Sequence, residues 1–317
     1  MKHVYTVQQF GVDPLAPTIF HEPWWLKIAS DDSYKFVEVE SKGEVVGRLP
    51  YFPQKKFGFS ISINPGLVHT LGPAINSGEG SLETRRQNTY KAMRELIDKL
   101  PPYEVYRYKC LDSDDVIPFQ QKGFMTRVQF THEIEPKKVE QIWETFSVSK
   151  RSEIRRAEKR YDLSSITPDE FFLFYDQNIE DRGLKNVYRD HNTAIIIQET
   201  IERKRGKIYA ARAKDSKNLV AAIFVPHDNR YAYYFMSTRS LEDRSGAISF
   251  LIWEAIKDAA EANRTFDFDG LSSKEGVAFF DGFGAHIKPR YIVTKTTLIG
   301  SMTFGLKECL RPNRFFC

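Results

Sequence analysis

The stretch Thr265–Arg290, TFDFDGLSSKEGVAFFDGFGAHIKPR, gathers side chains that could take or position a proton: Asp269, Glu275 and His286. Phe266 and Phe268 alternate with Thr265, Asp267 and Asp269, the pattern of a strand with one buried face. Asp269-Gly270 is a turn signal, so the strand carries an acidic turn at its end. A turn there can serve a cleft, and a turn exposed to solvent has the same signature. A short helix is expected over Lys274–Phe280, closed by Gly282 and Gly284. Pro289 cannot extend it, and Tyr291–Thr297 reads as the next strand. A carboxylate on such a turn either removes a proton or orients a nucleophile. An aspartate of ordinary pKa near 4 does the first only where its surroundings raise that value.

A second stretch bears charge of the other sign. Ser149–Arg160 holds six basic and two acidic residues in twelve, with Ile154 and Ala157 as a thin apolar edge. It reads either as a solvated helix face or as a helix presenting Arg and Lys to phosphates. Other chemistries lack their residues. Asp112-Ser113-Asp114-Asp115 starts like a calcium loop, but Ile117 stands where glycine is needed and Gly123 where glutamate is needed. The seven histidines show no H-x-x-x-H spacing, and Cys110, Cys309 and Cys317 show no C-x-x-C spacing. No metal site is expected. Cys110 reads as buried in a strand rather than nucleophilic.

The elements that must position these residues follow from periodicity. Pro23-Trp24-Trp25-Leu26 opens a short helical segment. Trp24 and Trp25 suit core packing or stacking on a substrate. Tyr34–Glu40 and Glu44–Tyr51 form a hairpin around Ser41-Lys42-Gly43. Phe57–Ile63 is a strand, and Asn64–Gly80 is a long loop that could line a cleft. Leu82–Leu100 is helical, Tyr103–Tyr108 a strand, Val116–Gln121 a short helix and Phe124–Ile134 a strand. Beyond a boundary at Glu135-Pro136 come helices over Val139–Phe146, Pro168–Arg182 and Asp190–Arg205. Lys207–Ala213, Leu219–Val225 and Arg230–Thr238 are strands. Ile248–Asn263 is an amphipathic helix with Leu251, Ile252, Ala255, Ile256 and Ala259 on one stripe. The tail, 300–317, has no pattern.

At 317 residues the chain suits two domains. Its charge is nearly balanced, 46 basic against 42 acidic residues, which does not demand nucleic acid and leaves room for a local basic groove. The N-terminus lacks the apolar run of a signal peptide, and no stretch reaches the roughly 18 apolar residues of a membrane span. A cytoplasmic protein without a transmembrane segment is expected. The two halves also repeat an order: hairpin, strand, long helix, strand, short helix, glycine, strand. Phe119 precedes Gly123 by four residues, as Phe280 precedes Gly284. The expectation is two copies of one mixed α/β module, over 1–135 and 136–317. Only the second carries the Asp267, Asp269 and Gly270 strand end, so it is the better candidate for chemistry.

That order is that of an acetyltransferase-type (GNAT) domain, and taken twice it resembles the Fem peptidoglycan aminoacyltransferases and their shorter acyltransferase relatives. Pro23-Trp24-Trp25-Leu26 resembles the family's opening segment. Ser149–Glu158 resembles its K-x-R-x-x-I-R-K-A-E helix. Gly246-Ala247 leading into Leu251–Ile256 resembles its donor-site helix. Phe266–Gly270 with Phe279–Gly284 resembles its closing signature. Phe280 stands where the family often has a lysine, and the long helical hairpin of some Fem enzymes is absent.

The resemblance implies two tandem GNAT-like domains with mixed sheets. It implies an N-acyltransferase that moves an acyl group from acyl-CoA to an amine acceptor bound between the domains, such as an amino sugar or a cell-envelope precursor, small or lipid-linked. An aminoacyl-tRNA-dependent transferase acting on a peptidoglycan precursor, or a binding module with a decayed site, are the alternatives. DNA is not an expected partner. The donor arm would lie along the backbone of Tyr234, Met236 and Thr238. Arg244 and the amides of Ser245, Gly246 and Ala247 would meet its pyrophosphate, although Gly246-Ala247 also reads as an ordinary helix start. Asp269, then Glu275, then His286 are the candidates for proton removal. Asp269 could equally orient the amine or cap Ser272–Glu275. Arg151 and Arg155 would hold phosphates of the acceptor.

Overall fold

The computed structural model describes residues 13–298 and 300, apart from 57, 111, 187, 190, 191, 242, 244, 245 and 271–273, and only the backbone of 274 and 275. Contacts divide the chain into two units. One comprises Met1–Gln129 with Pro289–Cys317, the other Phe130–Lys288.

The first unit begins with α1 (Pro23–Ala29), the hairpin β1 (Lys35–Ser41) and β2 (Glu44–Tyr51), then β3 (Pro53–Lys56), β4 (Phe59–Ile63) and β5 (Ala74–Ile75). It continues with α2 (Leu82–Asp98), β6 (Val105–Cys110), α3 (Val116–Gln121) and the start of β7 (Met125–Ile134). Helix α2 starts where the Ser81 hydroxyl accepts the Thr84 amide at 3.1 Å. Its stripe of Met93, Leu96 and Ile97 is buried with Leu49, Tyr108, Phe119 and Val293. The loop 64–80 is held by buried contacts: Trp25 Nε1 donates to the Leu67 carbonyl at 2.9 Å. His21 is enclosed beside it. Its Nε2 lies 3.2 Å from the Gly72 carbonyl, which can only accept, so Nε2 carries the proton and Nδ1 accepts from the Thr18 hydroxyl at 2.8 Å. Burial lowers the His21 pKa to about 4, against the hydrogen bond to Gly72. The unfolded chain therefore binds a proton near pH 6.5 that the folded chain refuses, and stability falls as pH drops from 6.5 towards 4. The expected loss from this group is on the order of 3 kcal/mol. Urea melts at pH 7 and pH 4.5 should show it, and His21→Gln should reduce the difference, leaving the part due to His69 and His227, whose pKa values burial also lowers.

The second unit takes up β7 and adds α4 (Val139–Thr145), α5 (Val148–Arg160), β8 (Tyr161–Ser164), α6 (Pro168–Glu180) and α7 (Thr193–Glu202). Strands β9 (Gly206–Ala213), β10 (Leu219–Pro226), β11 (Tyr231–Tyr233) and β12 (Met236–Arg239) follow. Then come α8 (Ala247–Glu261), β13 (Thr265–Asp267), α9 (Lys274–Asp281) and the start of β14 (His286–Thr296). One sheet has the order β12-β10-β9-β8, antiparallel throughout. Beside it β11 runs parallel to β13, which pairs antiparallel with β7 through Phe266↔Ile134 and Asp267↔Glu133. Helix α8 lays Leu251, Ile252, Ala255 and Ile256 into a core with Ile154, Ile223, Phe266 and Phe283. The chain thus runs twice through hairpin, strand, long helix, strand, short helix, strand, as the mixed α/β reading requires.

The elements depart from their expected spans in ways that matter. The strand expected over Arg230–Thr238 is two strands with a break at Tyr234-Phe235. The strand from Thr265 ends at Asp267, and Asp267 is buried, 1% exposed, so both of its faces are covered. Strand β8 was not foreseen. Strand β14 starts five residues before Tyr291 and runs through Pro289. A cut at 135/136 assigns β14 to the second domain. In the structure its residues from Tyr291 pair antiparallel with β6, from Tyr291↔Cys110 to Thr296↔Val105, which places 289–296 in the first unit.

Candidate active site

The break at Tyr234 is where the second unit opens. Up to this point β11 and β13 run side by side, and the last bond between them is from the Tyr234 amide to the Asp267 carbonyl at 2.8 Å. The chain then changes partner. β12 pairs with β10, from Phe224↔Met236 to Ala221↔Arg239, and is the edge of its sheet. β13 ends, and Asp269 turns the chain away with φ +60. Beside β12 lies a cleft of about 540 Å³. Tyr234, Ser237, Thr238 and Arg239 form one wall; Gly246, Ile248 and Ser249 of the α8 start form another. Glu153, Ile179, Arg182, Asp243 and Phe279 complete it.

The cleft has an aromatic end and a cationic end. At the first, the Tyr234 and Phe280 rings meet edge to face at 6.1 Å, and Phe280 packs 4.7 Å from Phe268. Desolvation pushes the Tyr234 hydroxyl up to about 12, opposed by a hydrogen bond with Ser237, so it is a protonated donor at neutral pH. At the other end the Arg182 guanidinium donates to the carbonyls of Asn178 and Arg239, and Arg239 donates to that of Asp243 at 2.7 Å. Asp243 itself is buried and accepts from the Tyr161 hydroxyl at 3.0 Å.

The acidic turn is built from the far strand. The Thr131 hydroxyl on β7 donates to Asp267 Oδ1 at 2.6 Å, and the Asp269 amide donates to the same oxygen at 2.8 Å. The Gly270 amide donates to Thr131 Oγ1 at 3.0 Å. These bonds hold Asp269 in its left-handed conformation, half-buried at the end of the strand. Asp267 is therefore the residue that shapes the turn; Asp269, on that turn, is not among the residues that line the cleft.

Residues 148–275 match the model of the acetyltransferase (GNAT) domain. The matched residues all lie within the second unit. A comparison with curated proteins finds no relative by sequence. By structure the chain is similar to FemX, at 13% identity and TM-score 0.68, covering 90% of this chain and 93% of that one. It is also similar to the C-terminal domain of a proposed lysylphosphatidylglycerol synthetase from Agrobacterium fabrum, at 11% identity and TM-score 0.59, covering 88% and 89%. L-PGS from Bacillus licheniformis matches at 11% identity and TM-score 0.54, covering 95% and 94%. At these identities the likeness is one of fold.

In the structure the expected site residues separate. Tyr234, Thr238 and Gly246 line the cleft. Met236 lies on the same edge strand with its side chain buried, and Ala247 is the first, buried residue of α8. Arg244 and Ser245 lie outside the described residues, as does the Glu275 side chain. His286 is exposed at the start of β14. Arg151 Nη1 donates to the carbonyls of Trp143, Glu144 and Phe146, stitching α5 to the end of α4. Exposed Arg155 stands 5.6 Å over the Trp143 ring. Trp24 and Trp25 belong to the first unit, where Trp25 is fully buried. Cys110 is buried there too, and burial pushes its thiol well above its ordinary value. Among the described residues no cluster of His, Cys, Asp or Glu could hold a metal ion, and no helix is long and apolar enough to cross a membrane.

Sequence reasoning missed Glu153, Ile179, Arg182, Arg239, Ser249 and Phe279 on the cleft wall, and Lys150 behind it. For Lys150 a signal existed: it shares the three- and four-residue stripe of Ile154 and Ala157, and all three are buried.

Proposed function

We propose that the chain is an N-acyltransferase that takes its acyl group from acyl-CoA and passes it to an amine. The observation that carries this reading is the partner switch at Tyr234. It leaves edge strand β12 with backbone groups free for a pantetheine arm, directed at the start of α8 and the arginines beyond. The attacking amine meets the thioester where β11 and β13 part, beside the Asp269 turn. The nitrogen forms a bond to the carbonyl carbon, the thiolate leaves, and the ammonium proton of the product is lost. Asp269 takes that proton or aligns the amine. Tyr234 is placed to donate to the sulfur as it departs. Holding both substrates in one cleft contributes about 7–11 kcal/mol in favourable cases, so no covalent intermediate on the protein is needed. The acceptor is an amino sugar or another cell-envelope amine, small or lipid-linked, handled in the cytoplasm.

An aminoacyl-tRNA donor is the second reading. The fold likeness to FemX and to a proposed lysylphosphatidylglycerol synthetase favours it. Coenzyme A should raise the melting temperature, and acetyl-CoA should support turnover with amine acceptors; activity with charged RNA alone would replace the first reading with the second. Asp269→Asn should lower turnover at least about tenfold while the melting temperature holds. Unchanged turnover removes Asp269 from the mechanism.

A further inference from the structure

Lys150 is a buried cation placed directly behind the cleft wall. It is 6% exposed. Its ammonium donates to Ser249 Oγ at 2.9 Å and pairs with Glu153 Oε2 at 2.9 Å. It also lies 3.9 Å from the centre of the Phe279 ring and 4.6 Å from that of Phe283. Burial lowers its pKa, and Glu153 opposes that shift. Three of these four partners, Glu153, Ser249 and Phe279, line the cleft. The ammonium is fixed by the rings and by its place on the buried stripe of α5. The carboxylate is not so fixed: its side chain is 31% exposed.

Glu153 also sits where a negatively charged ligand would. A Cβ built on Gly246 would lie 2.5 Å from Glu153 Cγ and 2.9 Å from its Oε1, so the side chain lies against the glycine that begins α8. Gly246 supplies no side-chain cap of its own to this helix. The carboxylate thus neutralises both the ammonium and the helix start. Among the described residues the other acidic one lining the cleft, Asp243, is buried and held by Tyr161. A carboxylate on the wall of a cleft that takes an anionic donor opposes binding unless it moves.

We propose that Glu153 is an exchangeable counterion, which rotates to solvent when a diphosphate enters and leaves Lys150, with the Ser249 hydroxyl, to bind the phosphate oxygens. This rests on the reading of the cleft as a donor site. It makes Lys150 the diphosphate ligand and Glu153 the residue that sets donor affinity. Two anions then compete for one cation, so removing the built-in one tightens the other. A purely structural ion pair predicts the reverse, because its loss weakens the fold and gains nothing in binding.

The test measures binding of coenzyme A, pantetheine and inorganic pyrophosphate to wild type, Glu153→Gln and Lys150→Met, by calorimetry and by thermal shift. The Gln variant should bind coenzyme A and pyrophosphate about five- to tenfold tighter than wild type, and the Met variant about tenfold weaker. Pantetheine, which lacks the phosphates, should bind all three alike. If wild type binds coenzyme A but Glu153→Gln binds neither anion more tightly, or if pantetheine changes as much, counterion exchange is overturned while the donor reading stands. If coenzyme A binds none of the three and pyrophosphate still favours Glu153→Gln, the exchange stands and the donor reading falls. If neither anion binds any of them, both fall. Should Glu153→Gln fold poorly, its melting temperature should recover more with pyrophosphate than that of wild type; no extra recovery overturns the proposal.

Discussion

Gly284→Ala should destabilise the second unit by about 3 kcal/mol, among the larger costs a single methyl can impose. Gly284 has φ +63, a conformation that costs alanine energy, and there is no space for the new atom. Its Cβ would fall 2.4 Å from the Thr145 carbonyl oxygen and 2.8 Å from the Thr145 carbonyl carbon. Both are backbone atoms at the end of α4 and cannot rotate aside. For a unit of this size the midpoint of thermal unfolding should fall by roughly 6–12 °C. Gly282→Ala is the contrast. Its φ is not positive, and its Cβ would meet Lys150 Cε at 2.9 Å and the Phe279 carbonyl oxygen only at 3.3 Å, so its cost should be smaller. Equal melting temperatures for the two variants would show that the close contact with α4 is not maintained in solution.

Asp267→Ala should cost about 3 kcal/mol and lower turnover more than Asp269→Asn does. The truncation removes the acceptor of both the Thr131 hydroxyl and the Asp269 amide inside a strand end that water does not reach. The Asp269 turn then loses the bonds that set its conformation. Thr131→Val removes the other half of the same network. Its cost should be about 1 kcal/mol, and the double variant should be less destabilised than the sum of the singles. Strict additivity, or an Asp267→Ala protein as active as wild type, rules out this account of the turn.

How much of this was legible in the sequence depends on how local the cause is. Helix α8 was clear, because its stripe of Leu251, Ile252, Ala255 and Ile256 needs no partner to be recognised. The edge strand at Tyr234–Thr238 was also foreseen. Its break was not, since alternation continues through Tyr234 and Phe235 while the hydrogen-bonding partner changes from β13 to β10. The burial of Asp267 was hidden because the hydroxyl that satisfies it, Thr131, is 136 residues away in the chain. Lys150 was concealed by composition: six basic residues in twelve point to solvent, and only the spacing to Ile154 and Ala157 marks one of them as facing inward. Phe280 was noted as a departure, and the structure gives it a place, against Tyr234, Phe268 and, at 6.0 Å, His132.

The return of β14 to β6 governs the order in which the protein can be made. The first unit holds residues up to Gln129 and then again from Pro289 onward. While the ribosome is still translating the middle of the chain, β6 lacks the neighbour it acquires through Tyr291–Thr296 and offers an open row of amides and carbonyls. The later unit, by contrast, is one uninterrupted segment and emerges complete first. The N-terminal part of the molecule is therefore the last to close, and premature chain termination between residues 110 and 291 releases a product with an exposed, self-adhesive strand.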